Sequence, residues 1–254
     1  MTRFISAILA MGLVLGLGRL ALADDDQDAK AVVDKAVKAL GGAEKLGAVK
    51  AFAWKAKGKL NINDNDGDFT SKVTLQGIDH FRQEFDGDFG GSQVKGVIVL
   101  DGDKGWRKFG ENSGKLEDDA LANQKRNVYL QAVPAMVLPL KGEGFKVESA
   151  AEEKVGGKPA VALKVTGPDS KEFQLFFDKE SGLPVKLTAT VAGFQGGEYA
   201  QETTFGNYKD FDGIKRATKI ETKRNGKKFI EQEITEFKVL DKVEPKTFAE
   251  PMAD

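Results

Sequence analysis

The sequence predicts a mainly β protein with few helices, built on a single antiparallel sheet. Apolar and polar residues alternate with a period of two in most segments after residue 50. Turn clusters of glycine, aspartate and asparagine recur every ~8–12 residues, as in a meander of short strands. No Pro/Gly/Ser-rich linker interrupts the 254-residue chain, so one domain is expected.

Residues 1–23 stand apart. Arg3 precedes an apolar run from Phe4 to Gly18, and Ala21 and Ala23 form a small-x-small pattern just before Asp24. This is the layout of a signal peptide. The run of about fifteen residues, ended by Arg19, falls short of the ~20 that a spanning helix needs. The expectation is export, cleavage after Ala23, and a periplasmic domain over 24–254. There is no cysteine to carry a lipid anchor or form a disulfide. Loss of Arg3 and Arg19 takes the formal charge from −1 to −3. A balance so close to neutral gives no electrostatic reason to expect nucleic acid as a partner.

Along the remaining chain, Val33, Ala36, Val37 and Leu40 recur at helical spacing, with Asp28 as a candidate cap and Gly41 as the stop. In "AFAWKAKGKLNI", Phe52, Trp54, Ala56, Leu60 and Ile62 share one strand face, and Lys55, Lys57 and Lys59 the other. "NDNDGDF" reads as a tight turn on Asp66-Gly67. Phe69, Val73 and Leu75 then alternate inward, and "VKGVIVL" and "GWRKF" flank a second turn, "DGDKG". The segment over residues 116–140 breaks the pattern. Leu121, Val128 and Met136 suggest short helices interrupted by Pro134 and Pro139, and hence a movable cover. Alternation resumes at Phe145 and continues through "KFIEQEITEFKVL".

Signatures of chemistry are few. "NDNDGD" resembles a calcium loop, but with Gly67 as the loop glycine the first and last ligand positions are Ile62 and Val73. No phosphate-binding glycine loop and no G-x-S-x-G occurs. His80 is the only histidine, too few for a hydrolytic zinc site. In "IDHFRQEFDG" it shares a strand face with Arg82 and Glu84, while Phe81 and Phe85 take the other. The charged trio reads as a structural polar face, so a non-enzymatic protein with no cofactor and no metal is expected.

Several phrases in sequence order extend this reading. They are "VDKAVKALGGAEKLGAVKAFAWKAKGKL", "DHFRQEF", "VIVLDGDKGWRKF", "LFFDKESGLPVKL" and "VEPKTFAEP". Together they resemble the LolA-like and LppX-like outer-membrane lipoprotein-sorting superfamily. The resemblance implies one strongly curved antiparallel sheet, a half-barrel wrapped around an N-terminal helix and a short helical lid. It also implies a carrier of lipid or lipoprotein acyl chains, acting between an inner-membrane donor and an outer-membrane acceptor, and expected to be a monomer. Trp54, Phe69, Phe81, Phe85, Trp106 and Met136 are the candidate cavity-lining residues. Gly77 and Ile78 stand where the carriers proper hold a basic residue, which points to a broader lipid-binding role. The other function class is a non-catalytic envelope domain with a filled core, docking a protein partner through a sheet edge or the lid. N-terminal sequencing of protein recovered from the native periplasm is expected to read from Asp24; a sequence starting at Met1 would refute the cleavage.

Overall fold

The computed structural model describes residues 18–62, 65–193 and 196–251. The first half comprises helix α1 (Gly18–Leu40), helix α2 (Ala43–Ala48) and strands β1 (Ala51–Ile62), β2 (Asn65–Gln76), β3 (His80–Phe89), β4 (Ser92–Asp101), β5 (Lys104–Phe109) and β6 (Asn112–Lys115). Helix α3 (Asp118–Met136) and a 3-10 turn (Leu138–Lys141) form the crossing. Strands β7 (Lys146–Val155), β8 (Lys158–Thr166), β9 (Glu172–Asp178), β10 (Pro184–Ala192), β11 (Glu198–Phe211), β12 (Ile214–Arg224) and β13 (Lys227–Leu240) follow, with a last 3-10 turn at Pro245–Phe248.

These thirteen strands make one antiparallel sheet, ordered β6-β5-β4-β3-β2-β1-β13-β12-β11-β10-β9-β8-β7. Each half is a meander of hairpins running outward from the middle. The halves meet where β1 pairs with β13, from Ala51 opposite Leu240 to Leu60 opposite Ile230. The sheet is an open half-barrel, as expected, with α1 and α3 on its inner face. Both free edges are guarded. β6 has only four residues, all exposed, and β7 carries Lys146, Glu148, Glu152, Glu153 and Lys154 with an irregular register between Ala150 and Glu153. Short, charged or bulged edges resist pairing with another chain.

The helices follow their periodicity. Ala29, Val33, Ala36, Val37 and Leu40 of α1 are buried, and the helix stops at Gly41, whose φ of 143° suits glycine. Asp28 lies inside α1 rather than capping it. Most of the leader assigned from sequence, residues 1–17, lies outside the described residues. In α3, Pro134 does not break the helix, contrary to the sequence reading. It sits in the final turn, where its missing N–H costs the one bond to the Leu130 carbonyl and leaves little helix beyond it to disrupt, and burial of Ala132, Val133, Pro134 and Ala135 holds the turn in place. The helix ends at Val137 in a left-handed conformation, its N–H bonded to the Val133 carbonyl at 2.7 Å. Pro139 then opens the 3-10 turn.

The Asp66-Gly67 turn is also corrected. Both residues belong to β2, paired with Asn61 and Leu60; residues 63 and 64 of the same phrase lie outside the described residues. Glycine serves packing at this position: a Cβ on Gly67 would come within 2.2 Å of the Phe89 ring. Gly58 is tighter still, because its Cβ would lie 2.1 Å from the backbone oxygen of Glu231 on β13. Gly58→Ala is therefore expected to cost about 1–3 kcal/mol by forcing the central strands apart. Gly114→Ala, which meets open space, should stay within about 0.5 kcal/mol. Urea unfolding of the two variants checks this.

Candidate functional site

Cross-strand register arranges the inner face in rows. The row nearest the helices holds Phe52, Leu75, Phe81 and Leu100, all essentially inaccessible to solvent. The next holds Trp54, Val73, Gln83 and Ile98. Beyond these come Ala56, Ser71 and Phe85, then Gly58, Phe69 and Gly87, and last Leu60 and Gly67, with the Phe89 ring against Gly67. Burial declines along this direction on β3: Phe81 is 0% exposed, whereas Phe85 and Phe89 are half-buried. Their rings form a stack. Phe85 lies 5.4 Å from Phe69 and 6.3 Å from Phe89, with interplanar angles of 25° and 20°. Glycines make room for it, since a Cβ on Gly87 would lie 2.8 Å from both the Phe85 and the Phe89 rings. The far end of the inner face is thus a band of mutually stacked aromatic rings.

Among the described residues two arginines are buried, in opposite circumstances. Arg126 of α3 is 3% exposed and fully engaged. Its Nε donates to the Thr190 carbonyl at 3.1 Å and its Nη2 to the Glu172 carbonyl at 2.9 Å. Its Nη1 donates to Asp169 Oδ2 at 3.1 Å and to the Tyr129 hydroxyl. Tyr129 in turn donates to Asp169 Oδ1 at 2.8 Å. Burial, and then that bond to Asp169, push the Tyr129 phenol above its ordinary pKa. The cluster pins α3 to β9, β10 and the β8–β9 turn. On the other half of the sheet, Lys125 reaches Asp103 in the β4–β5 turn at 2.5 Å, an exposed pair that contributes little. Helix α3 is therefore a strap, anchored firmly to one half of the sheet and lightly to the other.

Arg216 of β12 is 6% exposed, with its guanidinium carbon 5.2 Å from the centre of the Trp54 ring and 6.0 Å from that of Phe237. Its Nε has no hydrogen-bond partner, and among the described residues no carboxylate pairs with it. Burial draws its pKa down to about 10, opposed only by the Tyr208 phenol. The aromatic platform offers about 0.5–2 kcal/mol of cation–π attraction. An unsatisfied buried donor costs about 1–3 kcal/mol.

The sequence candidates separate accordingly. Trp54, Phe69, Phe81 and Phe85 share the inner face, and Met136 of α3 packs half-buried against the same core. Trp54, Phe69 and Phe81 are buried there. Trp106 does not join them. It pairs with Val99, which pairs with Arg82, so it lies on the outer face. Trp106 lies six positions after Phe81's partner Leu100, an even spacing that would put them on one face of a single strand, but the intervening β4–β5 turn reverses the phase. His80, Arg82 and Glu84 are on that outer face too. The His80 ring sits between Asp79 at 2.9 Å and Asp101 at 3.2 Å, against Phe248 of the last 3-10 turn. Arg82 Nε donates to Glu84 at 3.1 Å.

Sequence reasoning missed Arg126 and Arg216. A weak signal existed for each: Arg126 shares a helical stripe with Tyr129, Leu130 and Val133, and Arg216 alternates in phase with Ile214, Thr218 and Ile220. Among the described residues no cluster of side chains could hold a metal, and no helix is long and apolar enough to cross a membrane.

No family model matches the chain, and no curated protein matches its sequence. Solved structures do. A LolA superfamily protein from Nitrosomonas europaea superposes with a TM-score of 0.57 at 13% identity, over 87% of this chain and 97% of that one. The fold is LolA-like. A DUF1329 family protein from Desulfovibrio piger gives a TM-score of 0.52 at 12% identity, covering 87% and 97% of the two chains. A domain named for outer membrane lipoprotein sorting, from Vibrio parahaemolyticus, gives 0.50 at 13%, covering 85% and 97%. At such identities the likeness concerns the fold. Within this LolA-like frame the strap is the testable feature. Arg126→Met, which strands Asp169, is expected to cost about 3–5 kcal/mol. A double-mutant cycle with Asp169→Asn should return a coupling of about 0.5–3 kcal/mol. Hydrogen exchange should quicken in α3 before it does in β1 and β13.

Proposed function

We propose that the protein is a non-enzymatic periplasmic carrier, exported by its leader, that sequesters acyl chains of lipids or lipoproteins on the inner face of the half-barrel beneath α3. The band formed by Phe69, Phe85 and Phe89 carries this reading. It runs from buried Phe69 to half-buried Phe85 and Phe89, leaving aromatic surface on the inner face where a closed core would have finished with fully buried side chains. The LolA-like fold supports it, since one of its structural neighbours is named for lipoprotein sorting.

The energetics suit a carrier. Each buried methylene contributes ~0.8 kcal/mol, so a sixteen-carbon chain gains on the order of 10 kcal/mol before ordering costs. Release requires exposing that chain again. A strap held firmly along one flank by Arg126 and lightly along the other by Lys125 is built to lift from its weaker side, and gating of that kind is how binding proteins admit and discharge cargo. In this reading the protein shuttles between a membrane donor and a membrane acceptor, and the open half of the inner face is where cargo enters.

Phe85→Glu should abolish binding of a fluorescent fatty acid while the far-UV circular dichroism stays unchanged. Phe81→Ala should instead lower stability by about 3–5 kcal/mol, as for an aromatic in a packed core. Mass spectrometry of organic extracts from protein purified from its host should find stoichiometric lipid. No bound lipid, together with no displacement of the fluorescent probe, would refute the carrier.

A further inference from the structure

Resting on that carrier reading, we infer that Arg216 is the receptor for a single anionic group, carboxylate or phosphate, on an amphiphile that enters the half-barrel charged end first. The contrast with Arg126 leads to this assignment. Where this protein buries an arginine for structure, it surrounds the guanidinium with a carboxylate, a phenol and two backbone carbonyls. Arg216 is as deeply buried, yet its Nε is unpartnered and no carboxylate of the described residues neutralises it. What it has are aromatic faces, Trp54 and Phe237, which orient the planar fork without occupying its donors. A guanidinium so placed matches the two oxygens of a carboxylate or phosphate, which would accept its N–H groups in parallel and cancel its charge.

Position supports the same ligand. Trp54, under the guanidinium, begins the inner-face run of β1 that continues through Ala56 and Gly58 to Leu60. From Trp54 to Leu60 the strand covers seven residues, about 20 Å. Phe69, Phe85 and Phe89 flank this run on β2 and β3. A head group at Arg216 therefore leaves its apolar tail along the aromatic band, toward the open end. The cation supplies selectivity that an apolar groove lacks. An uncharged amphiphile of the same length fills the band but leaves the arginine without a counter-ion.

The test compares dodecanoate, dodecyl phosphate and dodecan-1-ol as titrants of the purified full-length mature protein, by calorimetry at neutral pH. One or both anions should bind at least about tenfold tighter than the alcohol. Arg216→Met should bring the anion's affinity down to that of the alcohol, while Arg216→Lys should retain part of the preference. A dominant response to dodecyl phosphate identifies a phospholipid-type head group, and a dominant response to dodecanoate a fatty carboxylate. Equal affinity of the wild-type protein for all three overturns the role of Arg216 and leaves the carrier standing. Binding of none of the three removes both. The wild-type comparison decides the matter even if a variant fails to fold.

Discussion

The structure depends on one ladder, the pairing of β1 with β13. Each meander closes locally through hairpins, but the two halves become one sheet only when residues about 180 positions apart in sequence meet, as Lys55 and Glu236 do. Gly58 permits the approach by leaving space against the Glu231 carbonyl. Contacts of such long range bear the entropy of closing the chain before they return any burial, so this ladder is expected to form late in folding. It also decides what the inner face contains. By seating β12 and β13 beside β1, it sets Arg216 and Phe237 over Trp54, three residues that no local segment could bring together.

A half-barrel with one apolar face must cover that face or use it. Here it does both. Near the helices, α1 and α3 complete a packed core around Phe52, Phe81 and Leu175. Farther along, coverage thins and the stacked rings of Phe85 and Phe89 are left half-buried. The same helix that completes the core is tied down unequally, by a buried network on one flank and an exposed ion pair on the other. Stability and accessibility are thus assigned to different parts of one face. The Arg126 cluster keeps its polar groups satisfied, whereas Arg216 concentrates an unmet charge at the boundary between the two parts.

Much of the fold was legible locally. The two-residue period of β1 and β2, the helical period of α1 and the stop at Gly41 all reflect which side chains must leave water, and the structure places them so. The errors came where a residue type has two uses. Gly67 was read as a turn glycine for its left-handed freedom, but it is needed because a phenylalanine ring covers it. Pro134 was read as a helix breaker, but it lies buried in the last turn, where packing outweighs the single backbone bond it removes. Trp106 was grouped with Phe81 by family position, yet its register sets it on the other side of the sheet.

By itself, the sequence determined the class of the fold, the order of its elements, and the wet character of the face bearing His80, Arg82 and Glu84. Period and turn chemistry act over a few residues and need no knowledge of the rest. Only the tertiary structure decided which aromatics are sealed and which are left half-open, that α3 is a strap held unequally on its two flanks, and that Arg216 lies buried with no carboxylate among the described residues to pair with it. Burial and charge compensation depend on what distant strands bring alongside, and a carboxylate's absence around a guanidinium can be seen only when every neighbouring strand is in place. The ten residues "IDHFRQEFDG" show the division: alternation sorted them into faces, but only packing separated Phe81, which holds the core, from Phe85, which borders the open band.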